Sequence, residues 1–154
     1  MKTIGVISDT HGLMRPEAIC ALQGCDLIVH AGDIGDWAVI EALQRLGPVF
    51  AVRGNVDRGP LAIETPWTQL VEVDNAHLYV LHDLQQLDLD PVAAGVQVVV
   101  AGHSHRPAVH SERGVLYLNP GSAGPRRFDL PVTVAKLYVG PGQPRAEIIH
   151  LLPT

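Results

Sequence analysis

Short apolar runs that break into polar tips set the pattern of this chain. Residues 4–7 run into Ser8-Asp9-Thr10-His11-Gly12, residues 26–30 into Ala31-Gly32-Asp33-Ile34-Gly35-Asp36, and residues 49–52 into Arg53-Gly54-Asn55-Val56-Asp57. Their β-branched content predicts buried strands, with the tips as loops leaving the strand ends. Between the runs, Pro16 predicts the first turn of a helix reaching Leu22, with Gly24 as its stop. Trp37, Ile40, Leu43 and Leu46, with Ala42, recur at helical spacing. They predict an amphipathic helix over 37–46, closed by Gly47-Pro48.

The second half reads differently. Residues 58–66, rich in Gly and Pro, predict an irregular crossover. Residues 68–74 and 77–81 predict a hairpin about Asp74-Asn75-Ala76, its second strand ending in His82-Asp83. A helix over 85–94 is weakened by Asp88, Asp90 and Pro91. Another apolar run, 97–101, ends in Gly102-His103-Ser104-His105. Strands over 108–111 and 115–118 lead into Asn119-Pro120-Gly121-Ser122, and 132–139 with 145–152 form a closing hairpin around Gly140-Pro141-Gly142. Strand–helix alternation in the first half favours a parallel sheet, and the strand-rich second half an antiparallel or mixed one. An α/β fold of two sheets packed face to face, with helices outside, satisfies both halves.

Length and composition narrow the class. The 154 residues suffice for one domain with a real core, and without repeat or linker the expected unit is 1–154. A content of 47% hydrophobic and 18% charged residues is globular. The net charge of -5, with Arg126-Arg127 as the one adjacent basic pair, gives no reason to expect a stable nucleic-acid partner. Cys20 and Cys25 form neither a Cys-x-x-Cys nor a disulfide framework, so a reducing cytoplasm fits. No apolar run approaches membrane-spanning length, and Asp9 and His11 end the first run too early for a signal peptide.

The chemistry lies in the tips. Asp9 with His11, then Asp33, Asn55, His82, and His103 with His105 stand at the ends of separate apolar runs. Taken alone, Asp9-x-His11 reads as a polar turn with a cap. Recurrence of metal-type donors at one strand end after another is not expected from turn chemistry, and open α/β sheets bind ligands outside the carboxyl ends of their strands. Asp9, Asp33 and Asn55 offer oxygens, the four histidines offer imidazoles, and no thiol joins them. That is too many donors for one tetrahedral ion and fits two ions sharing a carboxylate.

These motifs, in this order, resemble the calcineurin-like metallophosphoesterases, and most of all their small single-domain bacterial and archaeal phosphodiesterases. The likeness runs from Ile4 to Ser122 and includes Asn119-Pro120-Gly121-Ser122. It implies a four-layer sandwich, two mixed β-sheets between helices. It also implies that Asp9, His11 and His105 hold one metal, that Asn55, His82 and His103 hold a second, and that Asp33 bridges them. Manganese is the leading metal, with iron, zinc or nickel compatible with the same donors. Two ions about 3.5–4 Å apart would acidify a bridging water, and the hydroxide would attack phosphorus of a phosphodiester without a covalent enzyme intermediate. On this reading Asp33, Asn55 and His103 are the catalytic set. The sequence departs from the family in two places. Val56 stands where many members carry a histidine after Gly-Asn, which leaves the general acid unassigned. Asp83 follows His82 where glycine is usual, and it adds bulk and negative charge beside a ligand.

Other residues carry weaker signals. Asn55 and Arg126 are the candidate substrate contacts, with a solvated surface arginine the alternative for Arg126. Asp57 is a candidate to orient a ligand, and His30 to brace Asp33, though a buried hydrogen-bonded histidine is the commoner reading. Asp36 is expected to cap the 37–46 helix. Arg53 is read as a strand-end charge, Trp37 and Trp67 as packing residues, and His77, His110 and His150 as ordinary strand histidines. The amides of Asn119-Pro120-Gly121-Ser122 are candidates to face a phosphate. The expected partner is a small phosphate ester. Two readings compete with the diesterase: a phosphomonoesterase or nucleotidase, and a non-catalytic scaffold of the same fold that assembles with other proteins. The closing hairpin leaves a homo-oligomer open.

Overall fold

The computed structural model describes residues 1–153. The strands β1 (Lys2–Ile7), β2 (Leu27–His30) and β3 (Val49–Ala51) pair in parallel, and β9 (Thr133–Val139) and β10 (Arg145–His150) add antiparallel neighbours, in the order β10-β9-β1-β2-β3. A second sheet has the order β4-β5-β6-β8-β7. It is built from β4 (Thr68–Val73), β5 (Ala76–Leu81), β6 (Val98–Val100), β7 (Ala108–Glu112) and β8 (Val115–Asn119). Its central β5, β6 and β8 run parallel, and its two edges are antiparallel hairpin strands. Both sheets are therefore mixed, as the two halves of the sequence predict.

Period-two alternation builds the layers. Ile4, Val6 and Val29 of the first sheet face Leu78, Val80, Val98, Val100, Leu116 and Leu118 of the second in one buried cluster between the sheets. On the outer face of the first sheet, Ile7, Ile28 and Val134 pack against Leu22 of α1 (Pro16–Leu22) and Val39, Ile40 and Leu43 of α2 (Trp37–Gln44). Pro16 opens α1, and the Asp36 side chain accepts the Ala38 N–H at 2.9 Å to cap α2.

The outer face of the second sheet is covered more thinly, and here two expectations are corrected. The 85–94 helix does not form. Asp83 caps a single 3-10 turn over Leu84–Gln86, Asp90 caps the one-turn α4 (Pro91–Ala94), and Gly95 ends it with φ 74°. Leu87 and Leu89 pack down on Tyr79, Leu81 and Val99, so the sheet is sealed by side chains of an irregular segment. Conversely, the crossover 58–66 contains a short helix, α3 (Pro60–Glu64), with proline at its start. The aspartates capped each short turn where a longer helix would have needed apolar periodicity that Asp88 and Asp90 interrupt.

Candidate metal centre

The carboxyl ends of β1, β2, β3, β5 and β6 open on one side of the sandwich, and the donors leave the chain there. Five of them leave it in an unusual backbone conformation. Asp9, His11, Asp33, His103 and His105 all have positive φ, between 48° and 72°. For residues with a Cβ this left-handed region is sparsely used and costs free energy, and such strain collects at functional sites. It turns each side chain off the strand axis toward a common point.

Two groups of donors result. One ligating atom from each of Asp9, His11 and His105 lies within 4.8 Å of the others, and the same holds for Asp33, His82 and His103. Asp33 Oδ2 stands 3.2 Å from His82 Nε2 in its own group and 3.7 Å from His11 Nε2 in the other. Asp9 Oδ1 likewise stands 3.4 Å from His105 Nε2 and 3.8 Å from His82 Nε2. The groups share a border, and both carboxylates lie on it. Asn55, at the end of β3, lines a cleft with His82 and His103.

Each carboxylate is anchored through one oxygen and presents the other. Asp9 Oδ2 accepts the Ser8 hydroxyl at 2.7 Å and the His103 N–H at 3.0 Å. Asp33 Oδ1 accepts the Val56 N–H at 3.1 Å. Asp9 Oδ1 and His11 Nε2 are buried with no hydrogen-bond partner at all. Buried polar atoms are ordinarily paired, because an orphan forfeits its hydration for nothing. An oxygen and a nitrogen left bare among imidazoles are what a cation would satisfy, so these residues fit a divalent ion with nitrogen and oxygen ligands.

The electrostatics agree. Burial works against charge on Asp9, but His105, His82 and the Ser8 hydroxyl outweigh it and hold the carboxyl below its ordinary value. Burial opposes the Asp33 charge as well, and His82 with the Val56 N–H again outweighs it. His82 is pushed up despite burial, by Asp33 and Asp9. His11 is pushed down, chiefly by burial, which Asp33 and Asp9 only partly offset. His82 Nδ1 donates to the Ala31 carbonyl at 2.7 Å, which aims Nε2 at the carboxylates.

Around the donors lies a supporting frame. Asp57 accepts the N–H groups of Gly54 at 2.8 Å, Gly35 at 3.0 Å and Ile34 at 3.2 Å, so it ties the Asn55 loop to the Asp33 loop. It orients backbone and touches no imidazole ligand. Gly54 must be glycine, since a Cβ there would lie 2.1 Å from Asp33 Oδ1. His30 is wholly buried. Its Nε2 meets the Thr10 hydroxyl at 3.0 Å and its Nδ1 accepts the Gly32 N–H at 3.1 Å, so it braces the loop before Asp33 and leaves the Asp33 carboxylate alone. Ser122 donates to the Asp9 carbonyl at 3.1 Å, and Asn119 donates to the Gly102 carbonyl at 3.1 Å. The Gly121 N–H is spent on Asn119, so this turn buttresses the site and that amide is not free for a phosphate.

Arg126 is exposed, the surface-arginine alternative read for it, and donates to the Pro153 carbonyl at 3.1 Å; the charge of its neighbour Arg127 is among those that push His11 down. One sequence expectation changes. Trp67 is not a packing residue. It is 54% exposed, carries the Arg53 guanidinium 3.8 Å above its ring, and lines the cleft with Asn55. Asp83 spends one oxygen on the Gln85 N–H and holds the other 3.9 Å from His103 Nε2. Nothing in the local sequence exposes Trp67, because that depends on how separate loops meet.

Fold and site together define a class: two mixed sheets face to face, with a doubled nitrogen–oxygen donor cluster at the carboxyl ends of the strands. The model of the calcineurin-like phosphoesterase superfamily domain matches residues 1–141. The chain belongs to that superfamily. It is 37% identical over 147 residues to a probable metallophosphoesterase of Methanothermobacter thermautotrophicus, covering 87% of this chain and 85% of that protein. It is 26% identical over 137 residues to phosphodiesterase MJ0936 of Methanocaldococcus jannaschii, covering 77% and 82%. Among solved structures, Vps29 of Chaetomium thermophilum shares the fold with a TM-score of 0.78 at 18% identity, covering 97% of this chain and 96% of that one. The E. coli phosphoesterase YfcE does so with 0.67 at 22% identity, covering 88% of each. Among the described residues no helix is long and apolar enough to cross a membrane.

Proposed function

We propose that this protein is a cytoplasmic phosphodiesterase working with two divalent ions, manganese foremost. The observation that carries this is the pair of presented carboxylate oxygens: Asp9 Oδ1 bare among three imidazoles, and Asp33 Oδ2 between His11 and His82. Asp9, His11 and His105 would hold one ion, His82, His103 and Asn55 the other, and Asp33 both. When bound, the ions supply positive charge to phosphoryl oxygens and acidify a water. The chain supplies the positioning. Ser8, the His103 N–H and the Val56 N–H fix the carboxylates before any ligand arrives, so no reorganisation is needed at the moment of reaction. Asn55 and the exposed His103 stand on the cleft where the ester would lie, and the charge of Arg127 is felt at His11. Hydrolysis breaks one P–O ester bond with one water and leaves a phosphomonoester and an alcohol. The relative named a phosphodiesterase supports the diester over the monoester.

A second reading is a scaffold without turnover, since the fold is also that of Vps29. The test is hydrolysis of bis(4-nitrophenyl) phosphate with added Mn²⁺, comparing wild type with Asp33→Ala and His103→Ala. Turnover that drops at least a hundredfold in both variants supports catalysis. Equal turnover in all three proteins rules out this site, and no turnover with little bound metal favours the scaffold.

A further inference from the structure

Two clefts diverge from the wall made by Asp83 and His103. One, of about 460 Å³, runs past Asn55 to the exposed face of Trp67. The other, of about 420 Å³, runs along the outer face of the second sheet, past Ser104 to Ala108, His110 and Tyr117. It exists because the 85–94 segment forms only a 3-10 turn and a one-turn helix, which leave this end of the sheet uncovered.

The groove is chemically graded. At its mouth stand His103, Ser104 and Arg106, polar or charged and exposed. Farther in, Val99, Ala101 and Ala108 offer apolar walls. At the far end His110 and Tyr117 stack with their planes 9° apart and their centroids 5.2 Å apart. Stacked on each other across neighbouring strands, the two rings hold one another rigid and leave ring edges and an outer face to the groove, a platform that costs little side-chain entropy to use. A volume of about 420 Å³ lies in the range of small-molecule sites.

We propose that this groove receives one organic arm of the phosphodiester, and that the arm carries a flat aromatic ring, an arene or a nucleobase, seated by the His110–Tyr117 platform. The inference rests on the phosphodiesterase reading for the position of phosphorus beside His103. A diester has two arms leaving phosphorus in different directions, and two clefts leave His103 in different directions. A monoester would use one. Continuity of the groove with a candidate metal ligand at one end, and its ring platform at the other, fixes which part of the molecule goes where. Ala108 and His110 are then specificity residues, outside the donor set.

The test separates the groove from the catalysis. Metal-free wild type is titrated with 1-naphthyl phosphate, AMP and glycerol 3-phosphate, and amide resonances are followed by NMR. The two ring-bearing probes are expected to shift the resonances of Ala108, His110 and Tyr117, and glycerol 3-phosphate to leave them in place. The tighter of the two ring probes names the ring. Ala108→Phe fills the groove on an exposed edge strand and is expected to weaken ring-probe binding at least tenfold, and His110→Ala to weaken it severalfold. With Mn²⁺, Ala108→Phe is expected to raise KM for bis(4-nitrophenyl) phosphate severalfold. Ring-probe shifts that avoid these three residues, or binding indifferent to Ala108→Phe, overturn the inference. Groove binding without any diester hydrolysis would sink the catalytic reading and leave the groove standing as a ring-binding site.

Discussion

The His103 N–H donates to Asp9 Oδ2 at 3.0 Å across 94 residues of sequence. The bond joins a loop of the second sheet to a carboxylate of the first, and it couples the two donor groups mechanically: His103 belongs to one and Asp9 to the other. It also leaves Asp9 Oδ1 free to face the imidazoles of His11, His82 and His105.

Because that free oxygen is buried without a partner, an ion that satisfies it should stabilise the fold. Mn²⁺ at a hundred times its dissociation constant is expected to add about 2.7 kcal/mol, a rise in Tm of roughly 5–10 °C for a chain of this size. Chelation with EDTA should reverse the rise, and Asp9→Asn should abolish it. Differential scanning calorimetry of wild type and Asp9→Asn, with and without Mn²⁺, checks this.

Asp57 offers a different lever. Its carboxylate satisfies three N–H groups from the Asp33 and Asn55 loops. Asp57→Ala strands them, at a cost of roughly 2–4 kcal/mol. The expected outcome is a urea midpoint well below wild type together with weaker Mn²⁺ binding by calorimetric titration, although Asp57 itself touches no candidate ligand side chain. Unchanged metal affinity in a folded variant would refute the role of tying the loops together.

His30 makes a prediction about pH. Burial pushes its pKa down to about 4, while the unfolded chain keeps a value near the ordinary 6.5. Between these values the unfolded state binds the extra proton, so stability falls as pH falls from 6.5 toward 4 and is level above 6.5. Between pH 7 and pH 4.5 this single residue should remove roughly 2–3 kcal/mol. In metal-free protein, the loss of unfolding free energy over that interval should be smaller by this amount in His30→Gln than in wild type. Parallel pH profiles for the two proteins would count against it.

Arg126 and Arg127 are adjacent and should not behave alike. Arg126 is engaged by the Pro153 carbonyl, while the charge of Arg127 reaches His11. Arg127→Ala is expected to lower kcat/KM for a phosphodiester several-fold, more at low than at high salt, since exposed charges are screened. Arg126→Ala should stay within twofold. Steady-state kinetics at two ionic strengths decides between them.

Much of the scaffold was legible in order along the chain. Each apolar run became a strand, Pro16 opened α1, Asp36 capped α2, and the donors stand at the strand ends. Local chemistry suffices for these features, since the apolar period of a strand and the residues of a cap can be read from near neighbours in sequence. The 85–94 segment was misjudged because Asp83 and Asp90 each cap a turn of their own, a competition between caps that apolar spacing does not register. The amides that Asp57 gathers and the stacking of His110 on Tyr117 were not legible for a different reason. Both depend on partners in other elements.

By itself, then, the order of residues determined which side chains arrive at strand ends and that they are oxygen and nitrogen donors without sulfur. Only the tertiary structure decided which oxygen of each carboxylate is spent on backbone and which is left bare, and that two clefts part at His103. The physical reason is range. A strand and its tip are set by contacts among neighbours in sequence, whereas an unpaired buried oxygen is defined by everything that surrounds it, and here that surrounding comes from both sheets.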